Sequence, residues 1–439
     1  MNDTIFKKMS VLWGIFSMIL VIACGGTNKT VKDTSLSSPQ TNLTFLLQEL
    51  NENPKDPNVY YKLSKVYAEL DSIDYALVTL DTALSIDPEF NPGKLMRANL
   101  LLKKNRIKEG YSEYLEILKS QTGDEYVAEI RLQLGKPFPI YQLTTGDYNN
   151  AFPYFSPDDK RIAFQSDRDG NWEIYLMDTD GAQEVRLTNH EAQDEMPVFG
   201  SNENIIAFTS TQDDSIHNGR LDKARNIYLM DIIRGNVSRI ADNEADDWYP
   251  ALIENVNRVV FVSERDDLRE VPFHQKWSDI YIYSLHDAAI LRLTQNEADD
   301  GSPAVSSNDK WILFTSNRTG FYQIYRMDLK GNMVEQLTFM EGNCGAPHFS
   351  HDGKMITFFA DVNSNYDIFM MDHTGQNMIQ LTNDPARDNY PNFSPDKRKI
   401  IFHSNRSGKY QIYWIDLMNP LTQDDLVTDL EEKIALMGN

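Results

Sequence analysis

Three kinds of residue recur in step along the C-terminal two-thirds of the chain, and this repetition limits the folds open to it. A phenylalanine ends or follows a short apolar run six times, at Phe164, Phe208, Phe261, Phe314, Phe358 and Phe402. An aromatic residue after isoleucine recurs at Tyr175, Tyr228, Tyr281, Tyr325, Phe369 and Tyr413. A proline stands ten residues after a leucine or isoleucine, at Pro153, Pro197, Pro250, Pro303, Pro347 and Pro391. The three series agree in register, which indicates six copies of one structural unit.

Each copy divides into four short strands separated by turn residues. In the first copy, strand patterns such as "RIAFQS" and "WEIYLMD" alternate with turns such as "PDDK" and "TDG". Four-stranded units of about 40–50 residues are typical of β-propeller blades. We therefore predict an all-β six-bladed propeller over residues 138–418. The segment 138–144, "FPIYQLT", has no earlier blade and is predicted to complete the last one. A C-terminal tail over 419–439 is predicted to form an amphipathic helix from Asp424.

Residues 42–135 have helical rather than alternating spacing, so the predicted fold class is α + β multidomain. The stretch "DPNVYYKLSKVYAELDSIDYALVTLDTALSIDP" resembles the tetratricopeptide repeat. Its positions are matched by Tyr60, Leu63, Ser64, Tyr67, Ala76, Leu80, Ala83 and Pro88. The resemblance implies helical hairpins whose groove binds peptides or partner helices. A structural collar packed against the next domain is an equally open interpretation.

The N-terminus has the pattern of an export signal. Two lysines precede the apolar run "MSVLWGIFSMILVIA", which ends in "VIACGG". This junction resembles the lipobox of bacterial lipoproteins. The resemblance implies removal of residues 1–23, lipidation of Cys24 and a membrane anchor made of acyl chains. Residues 24–41 would then be a flexible tether. An ordinary signal peptide with a chance cysteine is the alternative.

The charge balance and the motif content exclude several classes of function. The net charge is −23, so the chain should repel nucleic acid and attract basic partners or cations. No nucleophile elbow, HExxH, phosphate-binding loop or CxxC motif is present. We therefore predict no catalytic residues, no resident metal and no cofactor. Cys344 lacks an obvious base in the sequence, and the eight histidines are scattered.

The predicted binding face is built around a repeated acidic segment, "NEADD", found at 243–247 and again at 296–300. Three residues before the six prolines stand Asn150, Asp194, Asp247, Asp300, Cys344 and Asp388. Asp246 and Asp299 adjoin two of these positions. In a propeller these residues belong to loops around the channel mouth, so we predict a negative ring there.

Two nine-residue insertions, in blades two and three, should lie above the same mouth. Aromatic anchors for a partner could come from Trp248, Tyr249, Phe273 and Trp277. The alternative is that each Asp braces its own loop. A Ca²⁺ ion held by clustered carboxylates is a weaker alternative.

The turn motifs "FSPDD", "FSHDG" and "FSPDK", with "S-x-R" after the second strand, resemble the propeller of TolB and its relatives. That resemblance implies a cell-envelope role through protein partners. The chain departs from TolB in its helical N-terminal region and its lipobox-like N-terminus. Lipoproteins that join tetratricopeptide repeats to a propeller also occur in the type IX secretion apparatus. The expectation is an outer-membrane lipoprotein that faces the periplasm and binds envelope proteins through both the loop face and the helical groove. An enzyme or receptor for envelope carbohydrate is the alternative.

Overall fold

The structure is a computed structural model, and it describes residues 39–212, 224–240, 245–253, 257–271, 275–362 and 364–438. The predictions for the signal peptide, for Cys24 and for Phe273 lie outside these residues. So does the predicted tether, apart from its last three residues. Residues 39–41 are helical, so placing them in a tether was wrong.

The helical region consists of hairpins, as the sequence pattern predicted. Its helices are α1 (Pro39–Glu52), α2 (Pro57–Glu69), α3 (Ile73–Ile86), α4 (Asn91–Lys103), α5 (Ile107–Lys119), a 3₁₀ turn (Gly123–Tyr126) and α6 (Val127–Gln133). Asp56 caps α2, because its carboxylate accepts the backbone N–H of Asn58 at 2.9 Å. The small residues predicted at the helix crossing, Ser64, Ala76 and Ala83, are fully buried. The chain divides into two compact units between Leu100 and Leu101, inside the predicted helical region.

Six four-stranded antiparallel sheets follow, one for each predicted blade. Blade 1 contains β2 (Asn150–Phe155), β3 (Arg161–Ser166), β4 (Glu173–Asp178) and β5 (Val185–Arg186). Blade 2 contains β6 (Asp194–Phe199), β7 (Ile205–Ser210), β8 (Asn226–Asp231) and β9 (Asn236–Ile240). Blade 3 contains β10 (Asp247–Leu252), β11 (Arg258–Ser263), β12 (Asp279–Ser284) and β13 (Ile290–Arg292).

The remaining blades follow the same plan. Blade 4 contains β14 (Asp300–Val305), β15 (Trp311–Thr319), β16 (Phe321–Asp328) and β17 (Glu335–Gln336). Blade 5 contains β18 (Cys344–Phe349), β19 (Met355–Val362), β20 (Asn365–Asp372) and β21 (Ile379–Gln380). Blade 6 contains β22 (Asp388–Phe393), β23 (Lys399–Ser404), β24 (Gln411–Asp416) and β1 (Ile140–Gln142).

The ring closes as predicted, because the N-terminal strand completes the last sheet. Strand β1 pairs antiparallel with β24, with Tyr141 opposite Trp414, and the two rings lie 4.7 Å apart. Joining the first strand to the last leaves no open gap in the ring. The six phenylalanines of the first series are all buried between sheets, and those of blades 2 to 5 stack on the aromatic residue of the second series.

The C-terminal tail is one helix, α7 (Gln423–Leu436), which begins one residue before the predicted start. Thr422 and Asp425 form a capping box at its first turn. Its neighbours include α5, since Gln423 Nε2 donates to the carbonyl oxygen of Leu118 at 2.5 Å. Lys119 forms an ion pair with Glu431 and Lys136 with Asp429, both in the middle of the helix.

Candidate functional site

The six-fold proline series marks a bulge in each inner strand. The register shifts there in every blade, and the residue before each proline has a positive φ, between 43° and 56°. These residues are Phe152, Met196, Tyr249, Ser302, Ala346 and Tyr390. A non-glycine residue in this region is strained, and proline disfavours helical backbone before it. The bulge directs these side chains to the central channel, which they line.

The channel is closed by two tyrosines from opposite blades. The hydroxyl groups of Tyr249 in blade 3 and Tyr390 in blade 6 hydrogen-bond to each other, and their rings lie 6.1 Å apart. Phe152 packs on Tyr390 with ring centroids 4.0 Å apart. His403 lies against both of these rings, at 5.3 Å. Ser302 and Ala346 are small, so open space remains on the side of blades 4 and 5.

Above this aromatic closure lies a cavity of about 420 Å³. It opens on the upper face, which we define as the face where the inner strands begin. Three aromatic side chains on its wall stand outside the channel: Trp248, Tyr322 and Tyr366. Gly345 makes room for a fourth ring, since a Cβ there would lie 2.2 Å from Phe359. Charged residues on the wall are Arg225, Glu264, Lys276 and Asp299.

Two of the predicted aspartates hold the wall of this cavity in place. Asp246 pairs with Arg225, whose Nη2 lies 2.5 Å from Oδ2, and the guanidinium stands 4.9 Å from the Trp248 ring. Asp299 accepts the backbone N–H of Ser278 at 3.0 Å and the hydroxyl of Tyr322 at 3.1 Å. Burial raises the pKa of the Tyr322 phenol, and the charge of Asp299 raises it further. The phenol therefore stays a hydrogen-bond donor to Asp299.

The predicted negative ring is not exposed. Asp194, Asp247, Asp300 and Asp388 each begin an inner strand, and all four are buried, with at most 1% of the residue exposed. Three of them form ion pairs with the arginine of the "S-x-R" motif of their own blade: Asp247 with Arg265, Asp300 with Arg318 and Asp388 with Arg406. The idea that these side chains offer charge to a partner at the surface was wrong for these three. Their contacts fit the alternative that they brace the blade.

Trp277 lies outside the cavity lining. Its backbone N–H donates to Asp267 at 2.7 Å, and its ring stacks under Arg269 at 3.5 Å. That arginine also holds the pKa of Asp267 well below its usual range. Trp277 is thus fixed inside the blade 3 insertion.

Burial moves the pKa values of the candidate catalytic groups away from neutral pH. Burial raises the pKa of the Cys344 thiol to about 12, so it is not a thiolate. Burial lowers the pKa of His348 to about 4 and that of His403 to about 3. In the part of the chain that is described, no three His, Cys, Asp or Glu side chains are grouped to hold a metal ion. The calcium alternative therefore finds no support in those residues.

Sequence reasoning missed the aromatic residue that precedes the third-strand motif. The position in question lies three residues before each member of the second aromatic series. In four blades it holds an aromatic residue: Trp172, Tyr322, Tyr366 and Tyr410. In "YQIY" and "YDIF" this position is the first tyrosine of the motif. These two residues, Tyr322 and Tyr366, line the cavity on the upper face. This recurrence is the signal in the sequence that marks the cavity wall.

Two family models match parts of the propeller. Residues 337–425 match the TolB beta propeller domain, and residues 218–360 match the N-terminal region of dipeptidyl peptidase IV. The propeller repeats of this chain are TolB-like. Helices in the described residues lack the length and apolarity to cross a bilayer.

Curated relatives share only part of their length with the chain. The uncharacterized peptidase YuxL of Bacillus subtilis is 24% identical over 251 residues, which are 55% of this chain and 32% of that protein. The uncharacterized protein Atu1656 of Agrobacterium fabrum is 32% identical over 131 residues, 30% of this chain and 42% of that protein. The chain thus spans less than half the length of either relative.

Solved structures with a similar fold include a putative TolB from Agrobacterium tumefaciens, with a TM-score of 0.49 and 20% identity, covering 63% of this chain and 96% of that one. An oligogalacturonate lyase in complex with manganese has a TM-score of 0.45 and 16% identity, covering 64% of this chain and 93% of the lyase.

Proposed function

We propose that the chain is a non-enzymatic lipoprotein of the bacterial cell envelope whose TolB-like propeller binds a protein partner in the upper cavity. The observation that carries the proposal is the form of that cavity. It ends at the bonded tyrosine pair rather than opening into a channel, and rings and charges of both signs surround it. Such a site can hold a segment of a partner in one orientation.

The composition of the wall supports a protein ligand. Trp, Tyr and Arg are the residues that most often dominate protein interfaces, and Trp248, Tyr322, Tyr366 and Arg225 occur together here. A volume of about 420 Å³ suits a few side chains of an inserted segment rather than a whole domain. Lys276 and Glu264 would fix its polar groups.

The envelope location rests on the lipobox-like N-terminus and on the TolB-like repeats. Lipidation at Cys24 would anchor the chain, and we place it on the outer membrane, facing the periplasm. The helical hairpins would bind a second partner, so that the chain links two envelope proteins.

Site-specific photocrosslinking in intact cells tests the proposal. A benzophenone side chain at Tyr322 should give discrete crosslinks to envelope proteins. The same group at Phe349, which lines the opposite mouth of the channel, is the matched control and should not give those crosslinks. Trp248→Ala should weaken them without lowering the melting temperature by more than a few degrees. Equal crosslinking at both positions, or none at either, would contradict the proposal.

A receptor or enzyme for envelope carbohydrate is the second candidate, and the aromatic wall favours it because sugar faces stack on such rings. The two similarities to peptidases raise a peptide substrate as well, although burial keeps Cys344 a thiol and makes His348 and His403 weak bases. Saturable glycan binding or turnover by the purified chain, without any protein partner, would favour this candidate over the scaffold.

A further inference from the structure

Blades 3, 4 and 6 each contain the same internal site for an arginine. In blade 4, Nη2 of Arg318 donates to both carboxylate oxygens of Asp300, at 3.0 and 3.1 Å, and Nε donates to Ser316 at 2.8 Å. The guanidinium carbon lies 5.4 Å from the Phe314 ring and 4.8 Å from the Tyr325 ring. We call this set of a carboxylate, a serine and two rings the arginine site. Blades 3 and 6 repeat it with the same contacts.

Blade 2 keeps the four components of the site but has no arginine at that position. Asp194, Ser210, Phe208 and Tyr228 occupy the corresponding places, and the two rings stack at 5.7 Å. The residue that corresponds to Arg318 is Gln212. Asp194 is 1% exposed, and its Oδ1 has no hydrogen-bond partner among the described parts of the chain.

The other blades show that the charges of this site are otherwise matched. Blade 5 has neither partner, since Cys344 and Val362 replace the acid and the arginine. Blade 1 has Asn150 in place of the acid, and its Arg168 pairs with Glu184. Only in blade 2, among these six positions, does a buried carboxylate stand without the arginine of its own blade.

The surroundings of Asp194 do not compensate for the missing arginine. Burial raises the pKa of this carboxyl group, and the charge of Glu173 raises it further. Hydrogen bonds from Ser210 and Thr188 and the charge of His190 act in the opposite direction without reversing the shift. A buried carboxylate without a cation is unfavourable, so a cation bound there would be strongly favoured.

We propose that the arginine site of blade 2 receives the guanidinium of an arginine from the protein partner. The inference rests on the proposed function and supplies the chemistry of one partner residue. Arginine fits better than lysine because its planar group bonds both carboxylate oxygens and stacks on aromatic rings. In blades 3, 4 and 6 the side chains of Arg265, Arg318 and Arg406 remain 15–26% exposed, and the partner's guanidinium would enter blade 2 from the same side.

Melting temperatures of the purified full-length chain test this inference, with argininamide as the probe and lysinamide as its control. Argininamide at millimolar concentration should raise the melting temperature of the wild type, and lysinamide should raise it less. Gln212→Arg should raise the melting temperature without any additive and remove the response to argininamide. Asp194→Asn should also remove the response.

A matched pair of variants should differ in its effect on the melting temperature. Asp194→Asn removes a buried carboxyl group that has no arginine in its own blade and should not lower the melting temperature, whereas Asp300→Asn leaves Arg318 without its carboxylate and should lower it. An equal fall in both variants would show that Asp194 is already paired, and the inference would be wrong. The inference would also be wrong if argininamide and lysinamide raised the melting temperature of the wild type equally. In either case, crosslinks at Tyr322 would leave the proposed function standing, so the two ideas fail separately.

Discussion

The Asp300–Arg318 pair should be a structural brace whose two halves depend strongly on each other. Asp300 is fully buried, and the side chain of Arg318 is 26% exposed. Replacing Arg318 with valine leaves the carboxylate without its cation, and removing one partner of a buried pair costs about 3–5 kcal/mol. Because Arg318 is partly exposed, we expect the lower end, about 3 kcal/mol. Asp300→Ala together with Arg318→Val imitates the apolar pair that blade 5 already carries. This double variant should lose less stability than the sum of the single variants.

Urea unfolding followed by tryptophan fluorescence measures these effects, since five of the six tryptophans lie in the propeller. With an m value of about 3 kcal/mol/M, Arg318→Val should move the midpoint down by about 1 M. The double-mutant cycle should give a coupling energy of about 2 kcal/mol. Lys397→Met is the control, because Lys397 and Asp352 form a more exposed pair at 2.8 Å and should matter by less than about 1 kcal/mol. A coupling energy below about 0.5 kcal/mol at Asp300 would refute the brace.

Three further outcomes are expected. Tyr249→Phe and Tyr390→Phe should each lower the free energy of unfolding by about 1 kcal/mol, and the double variant by little more than one of them, because they remove one shared hydrogen bond. Burial raises the pKa of Asp367 to about 7, so the folded state binds its proton more tightly than the unfolded state does. This contribution to stability is complete below about pH 4 and is lost as the pH rises to about 7, so Asp367→Asn should flatten the stability profile over that window. In a Cys24→Ser chain, the Cys344 thiol should react with a disulfide reagent only after unfolding. Rapid labelling of the native protein would contradict the burial of Cys344.

The fold could be predicted almost completely from the sequence because a propeller repeats its hydrophobic pattern once per blade. The spacing of the phenylalanines gave the number of blades, and the segment 138–144 gave the closure through β1. The bulge before each proline could not be predicted, because proline disfavours the backbone that its neighbour adopts here. That bulge is what places Tyr249 and Tyr390 in the channel. The contact between Tyr249 and Tyr390, which are 141 residues apart, depends on the closure of the ring. No local sequence pattern indicates this contact.

The aspartates were misjudged for a reason that applies to repeat proteins in general. A residue that recurs in most blades is required by the blade itself. Asp300 with Arg318 shows such a requirement, because the start of one strand is braced by the end of the next strand. A binding site, in contrast, occurs once in the ring and must depend on positions where the blades differ. The cavity is lined by Ser302, which is small where Phe152 of the opposite blade carries a ring. In the same way, Gln212 marks blade 2 as the place where a brace lacks its own cation. Both proposals for this chain therefore rest on departures from the repeat rather than on the repeat itself.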